Sequence, residues 1–124
     1  MAAQGDFWGE LVPVEVRTPV SIMREQAALL GTKTRNLVEA TVETGTQFGR
    51  FNHSFLLLVP ALGLYKYELF RIEHDVDLYP VTVVIGTQGE QLDNEQQFID
   101  WLKRKLSDRE TKQLIGNLLG MVTK

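Results

Sequence analysis

The sequence has no cysteine. That absence removes disulfides, thiolate metal ligands, cysteine nucleophiles and thiol redox switches as explanations of either fold or function. Long apolar runs are missing too: the greasiest stretch, Phe55–Tyr65, is broken by Pro60 and Gly63 and falls far short of the ~20 residues a membrane helix needs. The opening MAAQGDFWGELV has neither a basic n-region nor an apolar core, so it does not read as a secretory signal. A soluble, cytoplasmic protein without a membrane partner is expected. Phosphate-loop, dinucleotide, H-E-x-x-H and EF-hand patterns are also missing. No cofactor is expected, and no nucleophile–base pair stands out.

A chain of 124 residues reads as a single domain over residues 1–124, large enough for one core without staples. Its formal charge of −3 hides an asymmetry: residues 1–100 carry 7 Lys/Arg against 14 Asp/Glu, and residues 101–124 carry 6 against 2. Backbone affinity for nucleic acid comes from neutralising phosphates, so the acidic body disfavours general nucleic-acid binding. The basic end keeps a local site open at Lys103, Arg104, Lys105, Arg109 and Lys112.

What is there is organised around residues 50–85. Three apolar runs, Phe51–Val59, Leu64–Ile72 and Tyr79–Ile85, are separated by turn-forming stretches and read as strands of one sheet. In the middle run Tyr65, Tyr67 and Leu69 share one parity and Phe70 and Ile72 the other, which predicts a bulge near Leu69-Phe70 or burial of both faces. Upstream, Thr34–Thr44 alternates as a half-buried strand, and Gly45–Gly49 reads as a hairpin loop. Val12, Val14 and Val16 at period two predict an edge strand over Leu11–Arg17, kept to the edge by Pro13.

Helices flank this sheet. Thr18 caps one, Pro19 suits its first position, and Gly31 stands where a terminal glycine belongs. Gly86–Glu90 reads as a loop into the helical end. Asp93 with Gln96, and then Ser107 with Glu110, resemble capping boxes for two further helices. Their stripes are Phe98, Trp101, Leu102 and Leu106, then Leu114, Ile115, Leu118, Leu119 and Val122. The expected fold is α+β: a mostly antiparallel four- to five-stranded sheet with an N-terminal helix and two C-terminal helices packed on it.

Candidate sites are sparse. Glu73, His74, Asp75 and Asp77 form the densest group of possible metal ligands, with the three carboxylates projecting one way and His74 the other. His53 falls on an apolar face, where a core-edge histidine satisfied by hydrogen bonding is expected. Trp8, Leu114 and Leu118, together with Gly116 and Gly120 at four-residue spacing, suggest an interface on an aromatic arm and a terminal helix. The function expected from this set is a non-catalytic protein-interaction or regulatory module that binds a protein partner or forms a homo-oligomer. A small metal-dependent hydrolase or nuclease using Glu73, Asp75 and Asp77 is the alternative.

Overall fold

In the computed structural model, which describes residues 5–123, the first regular element is α1, Pro19–Lys33. The Thr18 side chain accepts from the Ser21 amide at 3.2 Å, and proline supplies a preset φ with no amide to satisfy. Ile22, Met23 and Ala27 form the buried stripe. Gly31 does not end the helix as expected. The Thr34 amide closes it on the Leu30 and Gly31 carbonyls, and the left-handed residues are Arg35 and Asn36. Position 31 is a point of close approach instead: a Cβ there would meet the Asn36 side chain at 3.1 Å, so that side chain would have to give way.

Five strands follow: β1 (Glu39–Gln47), β2 (Arg50–Val59), β3 (Tyr65–His74), β4 (Val81–Ile85) and β5 (Gln88–Leu92). They form an antiparallel meander in the order β1-β2-β3-β4-β5. The expected five-residue loop between β1 and β2 contracts to a two-residue turn. Phe48 and Gly49 both have positive φ there, which matches the right-handed twist of the flanking strands. The expected loop at Gly86–Glu90 is mostly strand. Gly86 opens a tight turn with φ 60°, and Gln88–Leu92 pairs with β4 along its length. Its polar composition hid it, because an edge strand covered on little of its surface needs no apolar alternation.

Between β2 and β3 the register shifts at Phe55/Leu56 and leaves Leu69 as the extra residue of a bulge. Tyr65 and Tyr67 precede it and Phe70, Ile72 and His74 follow it, yet all pair with inward-facing residues of β2. The opposite face carries Lys66, Glu68, Arg71 and Glu73 in ion pairs between strands, as in Lys66–Glu43 at 3.2 Å, and along β3, as in Arg71–Glu73 at 3.3 Å. Exposed pairs of this kind add little stability and serve to keep that face solvated.

Helices α2 (Glu95–Ser107) and α3 (Arg109–Thr123) complete the fold. Both caps lie one residue later than expected. The Asn94 side chain accepts from the Gln97 amide at 2.9 Å while Gln97 accepts from the Asp93 amide, and Asp108 accepts from the Thr111 amide at 2.7 Å. Residues of α1, α2 and α3 join one buried apolar cluster with the inner face of the sheet. At its centre Phe70 stacks on Phe55 and receives the edge of Trp101 at 4.9 Å between ring centroids.

The expected N-terminal edge strand is not in the sheet. Residues 5–18 pair with no strand, and Leu11, Val12, Val14 and Val16 are exposed. Alternation alone supplies no ladder partner, and Pro13 removes one donor. Among the described residues the arm is tied to the domain at its root, where the Tyr79 hydroxyl donates to the Arg17 carbonyl and the Arg17 amide donates to Glu95.

Trp101 is 8% exposed and wedged between sheet and helices. Trp101→Ala is expected to destabilise the domain by roughly 3–5 kcal/mol, as truncation of a large buried aromatic does. Urea unfolding checks this; a loss under ~1 kcal/mol would mean that the ring is not held in the core.

Candidate functional site

Two histidines are the most buried polar side chains of the sheet. His53 of β2 and His74 of β3 are each 4% exposed and lie on the helix-covered face near one end of the strands. Their Nε2 atoms are 2.9 Å apart. His53 Nδ1 is 2.9 Å from the Thr44 hydroxyl of β1, and His74 Nδ1 is 2.7 Å from the Asp75 carbonyl. The rings of Phe51, His74 and His53 stack in that order.

The partners fix the proton positions. A carbonyl oxygen only accepts, so His74 carries its hydrogen on Nδ1 and, when neutral, offers a lone pair at Nε2. His53 must then donate from Nε2 and accept at Nδ1 from the Thr44 hydroxyl. Every polar ring atom is satisfied, and the chain runs in one direction, Thr44 to His53 to His74 to Asp75. With both rings neutral, the Thr44 hydroxyl closes the chain as donor and the Asp75 carbonyl as acceptor. Burial is the main force holding His53 down to about 4 from 6.5, helped by the charge of His74 and of Arg24.

Beside this pair is a recess of about 300 Å³ between the first half of α1 and the end of the sheet. Val20, Phe51, Val76 and Leu78 make its apolar walls, and Arg24 and Thr44 supply its polar groups. Arg24 has no carboxylate within ion-pair distance among the described residues. A second groove, of about 570 Å³, lies between β3 and α3, with Tyr67, Leu69, Ile85 and Leu114 as apolar lining and Lys105 and Arg109 among its charged groups.

The residues singled out in the sequence are dispersed. Glu73 lies on the outer face near Arg71 and Arg50, Asp75 binds Arg50 at 3.0 Å, and Asp77 is exposed. His74 turns inward to His53. Among the described residues no three His, Asp or Glu side chains converge as a metal site. The basic set divides as well: Lys103 lines a recess between α1 and α2, and Lys105 and Arg109 line the β3–α3 groove. Leu118 is buried in the core and Leu114 packs against it, whereas Gly116 and Gly120 face open space. Trp8 is 79% exposed.

The histidine pair was not foreseen, because joining residues 21 apart requires the β2–β3 register. The signal available was His53 on an apolar strand face and His74 on the parity opposite to the nearby carboxylates.

No family model matches the chain, and neither a curated protein nor a solved structure matches it. Among the described residues no helix is long and apolar enough to cross a membrane.

A depressed histidine pKa makes stability depend on pH in a set direction. Below 6.5 the unfolded chain takes up a proton at His53 that the folded chain refuses until about 4. Stability is therefore complete above pH 6.5 and falls as the pH drops toward 4, by on the order of 3 kcal/mol for this shift. His53→Gln keeps a donor for His74 and an acceptor for Thr44 but does not titrate. Urea unfolding across this window should show a smaller slope in the variant, while the acid loss linked to Asp108, held below 3.8 by the Thr111 amide, persists in both.

Proposed function

We propose that the protein is a non-catalytic interaction module that assembles with a second copy of itself through its N-terminal arm. One observation carries the reading: Phe7, Trp8, Leu11, Val12, Val14 and Val16 are between 46% and 93% exposed. Single exposed apolar residues are normal, but six within ten residues is a concentration of the sort that marks an interaction site. Tryptophan is also among the residues that dominate interface energetics.

Charge favours a second copy as the partner. The arm carries Asp6, Glu10 and Glu15 around its apolar residues. The β3–α3 groove offers Tyr67, Leu69, Ile85 and Leu114 as apolar contacts, flanked by Lys105 and Arg109. Arg109 has no ion-pair partner among the described residues, although Glu110 also lines the groove. Twelve residues, 5–16, span up to ~40 Å when extended, enough to cross to a neighbour. Reciprocal exchange of arms gives a closed two-fold dimer in which each groove is filled once.

Light scattering after size exclusion tests this. A dimer is expected at about 100 µM, with W8A and R109E each shifting the equilibrium to monomer by at least roughly tenfold, as loss of an aromatic anchor or a charge-assisted contact does. Mixing R109E with D6K/E10K should restore association, because the acidic arm of the first meets an unaltered groove and the basic arm of the second meets the charge-reversed one. A wild-type monomer, or W8A and R109E dimers as strong as wild type, would overturn the proposal.

A further inference from the structure

We infer that the recess over the His53–His74 pair is a binding site for a small organic acid with an apolar body, and that its occupation takes up one proton. The geometry of the recess supplies the first half of the argument. Val20, Phe51, Val76 and Leu78 present apolar surface around about 300 Å³, at the lower end of the volumes that small-ligand clefts occupy. Arg24 sits in the wall with no carboxylate partner among the described residues, and a guanidinium pairs with a carboxylate in a planar, two-pronged fit. A branched-chain or aryl-substituted carboxylate matches both features. The site draws on none of the residues that carry the proposed self-association.

The hydrogen-bond chain supplies the second half. Thr44 lines the recess and at rest points its single hydrogen at His53 Nδ1. A carboxylate seated between Arg24 and Thr44 draws that hydrogen to itself, because a charged acceptor outcompetes a neutral one. His53 Nδ1 is then left without a donor. Simple tautomer exchange cannot repair this: moving the His53 hydrogen to Nδ1 sets the Nε2 lone pair against that of His74, whose own hydrogen is fixed by the Asp75 carbonyl. One added proton does repair it. His53 then donates from Nδ1 to the Thr44 oxygen and from Nε2 to His74, and every atom is satisfied again.

The charges balance too. The groups facing His53 are Arg24 from α1, Thr44 from β1 and His74 from β3. Beyond His74, Asp75 contributes its main-chain carbonyl, and its carboxylate lies against Arg50. A bound carboxylate offsets the repulsion between Arg24 and a protonated His53.

Isothermal titration of the full chain with phenylacetate, in two buffers of different ionisation enthalpy, tests both halves. Saturable binding below about 10 mM with uptake of close to one proton per ligand is expected. R24Q should weaken binding by at least about tenfold. T44V should bind with proton uptake reduced, and the neutral analogue phenylacetamide should bind more weakly and without uptake. Imidazole ¹⁵N resonances of wild type should report the His53 Nδ1 proton only in the bound state, and circular dichroism confirms that each variant is folded. No binding by wild type, or equal binding of the acid to R24Q or of the amide to wild type, overturns the site. Binding without proton uptake overturns the coupling.

Discussion

The bulge at Leu69 is the constraint on which the rest of the structure depends. A regular β3 would continue the parity of Tyr65, Tyr67 and Leu69 to Arg71 and Glu73, burying an arginine and a glutamate and exposing Phe70, Ile72 and His74. Burying those charges costs several kcal/mol each. One extra residue inverts the second half of the strand and reverses that outcome. Phe70 can then lie between Phe55 and Trp101, and His74 can meet His53. Core and site are therefore consequences of the same irregularity, and regularising the pairing would break both.

The sequence made part of this legible for definite reasons. Apolar runs bounded by proline and glycine located β2, β3 and β4, and the parity change within residues 64–72 left a bulge or burial of both faces as its two explanations, of which the register shows the bulge. Thr18-Pro19 marked the start of α1 because cap chemistry is local. Elements whose definition is not local were lost. Polar β5 is strand because β4 supplies hydrogen bonds, and Gly31 lies where the chain folds back closely over the helix end. Val12, Val14 and Val16 have strand alternation without a strand to pair with. The histidine site is the extreme case: its two rings are 21 positions apart, and only a register that already includes the bulge brings them together.

A buried pair of imidazoles is a costly device unless every nitrogen has a partner. Here the Thr44 hydroxyl and the Asp75 carbonyl end the chain with a donor and an acceptor, and burial holds the His53 pKa down to about 4. The outer-face charges differ in being partly exposed and loosely paired. Ionisable groups are plentiful on the outer face, but it is the inner face that confines one to a defined state.

The position of the helices explains why this end of the sheet stays accessible. Residues of α2 and α3 line the recesses toward the middle and the opposite end, whereas among the described residues the helical side of the recess over the histidine pair is lined by Thr18, Val20 and Arg24 at the start of α1. The helical layer is thus incomplete where β1, β2 and β3 bring Thr44, His53 and His74 together. A complete layer would have sealed the pair as ordinary core. Because α1 stands alone there, the hydrogen-bond chain ends at a threonine that lines an open recess, beside an arginine without an ion-pair partner among the described residues.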